Sequence, residues 1–420
     1  MVFLSAFSLR RSLPGAALLF LLGAGLLPAQ DSIRPSLAGA YAAAAAKPAI
    51  DTTDYNLKLG PAVIKLSDNL NIELTDNVGL SQSDRKSDLI LEPFLDARAF
   101  WQFSQLNSLS FNLGIGYIQY LQNSQLNRID VTASPDSNLA LDIFVGDFRF
   151  TLFERLSVQE DPVPNIHLSN VATYPRVENA LGLTVVWDLN QFVLFGGYAH
   201  YTFYSLGSQF ASQDNSQEQF FVSAGLKFNP SLTVGLRGTL ASVNYAQNIQ
   251  PNSQNISFGP YVEARLTPYL NLSAEGGYQA ATFAGSQNND GSQLNAFYAR
   301  IQLDHRLNRY WTETLTLGRE TELGMNTNYT VVTYFNYSAT WRVNSRLTMN
   351  LHANYADGVD SSGNAQSQKI HQLGCGLSFN RQLGRKISFH AAYDFINHTS
   401  DLPNQNYYQN RLVFGLSYAF

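Results

Sequence analysis

The chain of 420 residues carries a single cysteine, Cys375. One thiol excludes an internal disulfide framework and a cysteine-built metal cluster. Charge is scarce as well: Asp, Glu, Lys and Arg make up 14% of the chain, against about 25% in an ordinary soluble domain. The formal net charge is -5 and the basic residues do not cluster, which excludes nucleic acid as a partner. Past residue 30 no apolar run approaches the roughly 18 residues of a membrane helix. Past residue 50 no helical period of useful length occurs, so no phosphate-binding loop can open a helix. A mean hydropathy of -0.14 reads like that of a soluble protein, but hydropathy scans pass over strands that give lipid only every second residue.

Aromatics are plentiful, at 13%, and they alternate. Leu412, Phe414, Leu416, Tyr418 and Phe420 alternate with Arg411, Val413, Gly415, Ser417 and Ala419. Because strand side chains flip face at each residue, the first set makes one apolar stripe. Bilayer lipid is the simplest cover for it. The ending resembles the C-terminal insertion signature of bacterial outer-membrane β-barrels, which implies the barrel-assembly machinery as a partner of this strand. At the other end Arg10 and Arg11 precede the apolar run 16–27, and Pro28-Ala29-Gln30 offers a cleavage site, with Ala38-Gly39-Ala40 as a second. That layout predicts a secretory signal peptide over residues 1–30, a flexible periplasmic leader over 31–56 and a barrel over 57–420.

From Leu70 onward one unit repeats: strand, tight turn, strand, polar loop. Tight turns are expected near 104–107, 146–147, 188–190, 229–230, 268–269, 307–309, 343–345 and 381–385. Longer polar connections are expected near 81–88, 122–138, 158–175, 206–216, 246–254, 284–292, 324–327, 358–368 and 398–406. This rhythm predicts an all-β fold: a transmembrane antiparallel up-and-down β-barrel of about 18 strands (16–18). The segment 60–66, ahead of a turn at 67–69, reads as an additional short strand or a luminal piece. An even count places both termini on the periplasmic side, with the long loops outside. Propeller and sandwich alternatives leave the apolar faces and the long/short rhythm unexplained.

The opposite faces of these strands are polar. Inward candidates are Glu92, Asp96, Arg98, Arg149, Lys227, Arg237, Glu263, Arg265, Glu275, Arg300, Asp304 and Asp394, with Asp142, Arg155, Arg342, His352 and His390 beside them. Such a set is too charged for a dry core, and water can satisfy it. Both signs are mixed along the wall, so strong ion selectivity is not expected. Taken singly, each of these residues reads most simply as a structural ion pair or a solvated group. Trp187, Phe228, Trp341, Phe379, Tyr418 and Phe420 sit next to short turns on the apolar face, where an aromatic girdle at one membrane edge is expected. Cys375 falls on the same outward face. The proline-bearing, acidic stretch 158–175 reads as an exposed loop, with an infolded constriction or a substrate-receiving mouth as alternatives. His167 near Ser169 and His398 near Ser400 are weak candidates for a catalytic pair, and no nucleophile elbow fixes a serine. No enzymatic activity, cofactor or metal site is expected.

Tyr55-Asn56-Leu57-Lys58-Leu59-Gly60-Pro61, then Glu73-Leu74-Thr75-Asp76-Asn77-Val78, resemble the start of the β-barrel porin 2 family. Thr151 to Leu156 and Leu266 to Leu270 are also similar to its strand pairs. The resemblance covers residues 55–420. It implies a porin-like outer-membrane channel through which small hydrophilic solutes diffuse. It also leaves open a conduit for polysaccharide export with periplasmic partners. A structural or adhesive barrel is a third reading, and a homo-oligomer is compatible with all three. Inward aromatics (Phe94, Phe100, Phe144, Phe221, Tyr261, Tyr298 and Tyr334) would suit a sugar.

Overall fold

The alternating stretches become long antiparallel strands, each hydrogen-bonded on both sides. The structure, a computed structural model, describes residues 55–104, 107–163, 165–362 and 367–420, without the side chains of 134–138. The expected signal peptide and residues 31–54 of the leader lie outside the described residues. The strands are β1 (Leu57–Leu59), β2 (Ala62–Thr75), β3 (Asp88–Gln102), β4 (Ser108–Tyr120), β5 (Arg128–Val145), β6 (Phe148–Gln159) and β7 (Arg176–Leu189). Next come β8 (Phe192–Ser205), β9 (Asn215–Asn229), β10 (Leu232–Tyr245), β11 (Asn252–Thr267), β12 (Leu270–Ala284) and β13 (Leu294–Arg306). The last are β14 (Trp311–Leu323), β15 (Tyr329–Asn344), β16 (Leu347–Asp360), β17 (Lys369–Gln382), β18 (Ile387–Ser400) and β19 (Tyr407–Ala419).

Each strand pairs with the next, and β19 pairs with β2 from Arg411↔Thr75 to Ala419↔Ser67. Strands β2 to β19 therefore form a closed antiparallel barrel of eighteen strands, as the alternation and the turn rhythm predict. Closure removes both sheet edges, so every wall strand has a partner on each side. β1 is a three-residue addition to β2, with Leu57 opposite Ile64.

Two sequence expectations need correction. No turn interrupts 67–69: residues 62–75 are one strand. The reversal comes earlier, at Gly60, whose φ of +60° lies in the left-handed region that glycine adopts freely. The loop expected over 122–138 is also too long, because β5 begins at Arg128 and runs for 18 residues. Arg128, Asp130 and Thr132 alternate there with the exposed Ile129 and Val131. In a barrel whose interior is wet, polar composition does not by itself mark a loop.

Alternation sets the two faces. Outward positions hold large exposed apolar side chains such as Leu70, Leu181, Val222, Phe258, Phe297 and Leu416. Trp187, Phe228, Trp341, Phe379, Tyr418 and Phe420 all occupy outward positions near short turns, and Trp311 stands opposite Trp341 with ring centroids 6.2 Å apart. Nearer the long loops four outward tyrosines share one diagonal pairing. The hydroxyls of Tyr198, Tyr278, Tyr355 and Tyr393 bond Glu218, Asn295, His371 and Asn410. Each partner lies two residues beyond the directly opposed position, on the long-loop side.

Inside, aromatic rings lie across glycines of neighbouring strands: Phe153 over Gly182, Phe221 over Gly197, Tyr261 over Gly225 and Gly235, Tyr334 over Gly318. The tightest backbone approach joins β11 and β12. A Cβ on Gly259 would lie 2.0 Å from the Gly276 carbonyl oxygen and 2.6 Å from the Gly277 Cα. Only backbone could yield there. Gly259→Val is expected to destabilise the barrel by about 1–3 kcal/mol, read as a lower temperature at which heat-shifted gel mobility is lost. An unchanged temperature would contradict this close contact.

Candidate functional site: a loop across the lumen

The connection between β6 and β7, residues 160–175, folds inward and crosses the lumen. Its shape is local in origin. The Tyr174 N–H donates to the Glu160 carbonyl at 2.7 Å and closes the base. The side chains of Asp161 and Asn165 accept from the N–H groups of Val163 and His167 at 3.0 and 2.9 Å, two Asx turns that suit this Asp- and Asn-bearing sequence. Arg176 braces the root: it is 4% exposed, and its guanidinium reaches Glu178, Gln159 and the carbonyls of Asp161 and Tyr174. A buried guanidinium so fully engaged is a fixed strut.

The tip docks halfway round the eighteen-strand ring. Val163 packs against Ile396 of β18, Tyr407 of β19 and Leu80. Ile166 packs against Val332 and Tyr334 of β15 and Ile370 of β17. Leu168 closes on Tyr174, Phe203 and Phe210. Polar contacts hold the same landing: Gln372 donates to the Val163 carbonyl at 3.3 Å, and His167 Nδ1 lies 3.8 Å from Asp360. Arg411 bonds Glu73 at 3.1 Å and Asp161 at 3.3 Å, joining loop to wall. Of the readings open from sequence, the structure shows the infolded one. A two-proline, two-acid composition cannot tell an exposed loop from one that docks through Val163 and Ile166.

On one side of the loop, beside β2 to β5, carboxylates gather. Glu92 faces Glu73, Asp130 and Arg411. Asp130 faces Glu160 and Arg128, and Arg128 pairs with Glu160. Asp394, on β18, faces Arg411, Glu73 and Asp161 and lies 3.3 Å from His352. Six carboxylates thus share this side with the guanidiniums of Arg128 and Arg411. Glu92, Asp130 and Arg128 keep part of their surface accessible, and Asp161 is exposed.

The twelve residues singled out from sequence all occupy inner-face positions, but only Glu92 and Asp394 meet at the crossing. Asp96 and Arg98 pair at 3.0 Å lower on the wall. Arg237 pairs with Glu275 and lies 4.6 Å from the Tyr261 ring centroid. Arg300, Gln302 and Asp304 form a ladder ending on Thr314. Lys227 bonds Asp188 at 2.8 Å, and Arg149, Glu263 and Arg265 are exposed near the short turns. Glu73, Arg128, Asp130, Glu160, Asp161 and Arg411 went unselected. Strict alternation places Glu73 and Arg411 inward, whereas Arg128 and Asp130 were hidden in the over-long loop.

The weak catalytic pairs have other partners. His167 faces Asp360, and His398 stacks on Tyr407 with centroids 4.7 Å apart. The Ser400 hydroxyl accepts from Gln368 at 2.8 Å. Among the described residues no three potential metal ligands converge.

Asp290 latches three of the long loops. It accepts from Ser292, from Ser361 and from the Asn328 N–H at 3.2 Å. Burial alone would raise its pKa, but these hydrogen bonds outweigh burial and hold it below its ordinary 3.8. A folded-state pKa below the unfolded value gives stability that is complete above the unfolded value and lost as pH falls through the folded one. The latch is therefore expected to hold unchanged from pH 8 to 5 and to loosen below pH 3.8. Pepsin cleavage of these loops should rise there, whereas Asp290→Asn should loosen them at neutral pH. Separately, Asp161→Ala should increase proteolysis within 160–175 several-fold while leaving heat-shifted mobility intact. An unchanged cleavage rate would mean that the apolar landing alone holds the loop.

The family described as "Putative beta-barrel porin 2" matches residues 57–420. Among solved structures, the chain is similar to Pseudomonas aeruginosa OccK2 (OpdF) in complex with glucuronate, at 13% identity and a TM-score of 0.46, covering 86% of this chain and 99% of that one. It is also similar to the outer membrane protein OpdK of that organism, at 11% identity and a TM-score of 0.47, covering 86% and 100%. A search of the curated proteins finds no match.

Proposed function

The chain belongs to the β-barrel porin 2 family, a porin-like barrel of the bacterial outer membrane, and we propose that it is a narrow diffusion channel that admits neutral and cationic solutes in preference to anions. The observation that carries this reading is the gathering of Glu73, Glu92, Asp130, Glu160, Asp161 and Asp394 on one side of the crossing loop, against Arg128 and Arg411. The mixed wall below it has little net preference. At a narrow crossing the local sign dominates, because low-dielectric walls focus the field of nearby charges. The loop crosses the bore and narrows it, which favours small solutes over a polysaccharide chain.

The short turns and both termini face the periplasm in this reading, with the long loops outside. Trp187, Phe228, Trp341, Phe379, Tyr418 and Phe420 mark one edge of the lipid band, and the diagonally bonded tyrosines mark the other. Rings with one apolar and one polar end suit both edges. The outward stripe of β19 is what the barrel-assembly machinery engages. The outer wall permits a homo-oligomer. The barrel works without a cofactor and without catalysis: its histidines serve as packing and hydrogen-bonding groups.

The reversal potential of the reconstituted protein in a tenfold potassium chloride gradient tests the proposal. A cation-selective value is expected, moving toward zero in Glu92→Gln/Asp130→Asn. Anion selectivity, or a value those substitutions do not move, would contradict it.

A further inference from the structure

On the outer wall one row of side chains crosses the barrel seam at a single level. Tyr393 of β18 opposes Leu412 of β19, Leu412 opposes Leu74 of β2, and Leu74 opposes Leu89 of β3. These four line a cavity of about 380 Å³ on the lipid-facing side. Its end toward the long loops is polar. Asp76 accepts from the Asn410 N–H and Nδ2 at 2.8 and 2.6 Å, and the Tyr393 hydroxyl donates to Asn410 Oδ1 at 2.7 Å. Ser87 and Gln122 complete that rim. Asp88 fixes the turn that carries Gln122, accepting from the N–H groups of Leu121, Gln122 and Asn123 at 2.9, 2.9 and 2.8 Å.

Two cations stand beside the rim. The Arg85 guanidinium lies over the Tyr408 ring, 3.8 Å from its centroid, and Tyr408 is two residues along β19 from Asn410. Lys86 immediately precedes Ser87, and its carbonyl accepts from the Val78 N–H at 2.9 Å. Both basic side chains are exposed, and among the described residues neither pairs with a carboxylate. Asp84 precedes them, so residues 81–87 remain net positive. A guanidinium stacked on a ring keeps its edge N–H groups free for a bidentate phosphate contact.

We propose that this row is a binding site for a membrane lipid with a negatively charged phosphate headgroup. An acyl chain lies along Leu412, Leu74 and Leu89, and the phosphate meets Arg85 and Lys86. The chemistry of the two ends selects this occupant. A leucine floor facing hydrocarbon is covered by chain methylenes without leaving a polar group unpaired. Free phosphate would find the cations but leave that floor bare. An uncharged lipid would fill the cavity and gain nothing from the cations, whereas each basic residue near the surface attracts an anionic headgroup. Tyr393 and Tyr408 suit the boundary between chain and headgroup, because their rings are apolar and their hydroxyls polar. A lipid seated there touches β18, β19, β2 and β3, on both sides of the closure.

Native mass spectrometry of the folded, full-length protein in neutral detergent tests this. Dimyristoyl phosphatidylglycerol is the probe. Dimyristoyl phosphatidylcholine keeps the chains without net charge, and glycerol phosphate keeps the phosphate without chains. Phosphatidylglycerol is expected to be retained at concentrations where neither control is, and to raise the temperature at which heat-shifted mobility is lost. Arg85→Ala/Lys86→Ala should weaken its retention about tenfold and leave phosphatidylcholine unaffected. Leu74→Trp, which fills the cavity from a lipid-facing position, should also weaken it, whereas Leu317→Trp on β14 should not. Equal retention of the two lipids, retention of glycerol phosphate, or variants with wild-type retention would overturn the proposal. A dimer without bound lipid would assign the row to a second copy of the chain and overturn it as well.

Discussion

Everything in this molecule depends on the closed ring of backbone hydrogen bonds. In hydrocarbon an unpaired N–H or carbonyl has no water to turn to, so a spanning sheet must have no edge. The seam between β19 and β2 provides that closure, with Arg411 to Ala419 zipped against Thr75 to Ser67. Once the ring is closed, side-chain alternation is no longer a preference but a sorting rule. One set of residues meets lipid and the other encloses the lumen. The outward stripe Leu412, Phe414, Leu416, Tyr418 and the inward Arg411, Gly415 and Ser417 are two sides of the same strand.

Closure also explains how a long connection becomes functional. A wide barrel cannot fill its interior from its own wall, so the interior is open to a segment that folds into it. The β6–β7 connection does so because it brings its own apolar anchors, Val163 and Ile166, to apolar positions on β15, β17 and β18. Its acidic residues then stay on the wet side, where Arg411 ties Asp161 to the wall.

Much of this was legible in the sequence, for a physical reason. Period-two alternation runs through most of the wall, so faces, turn positions and strand number could be read without contacts. Where alternation was overridden by composition, the reading failed: Arg128-Ile129-Asp130-Val131 alternates perfectly, yet its polar neighbours made it look like a loop. The charged crossing was only half legible, because Glu92 and Asp394 are far apart in sequence and meet only through barrel closure. The loop's docking depends on where Val163 and Ile166 land, which no local pattern encodes.

Single-channel conductance before and after shortening residues 162–168 asks whether the barrel holds an aqueous bore narrowed by the β6–β7 connection. Steady, reproducible steps are expected from the intact protein and larger steps from the shortened one, both from material with heat-shifted mobility. Silence from folded intact protein, or identical steps from the two, would contradict such a bore.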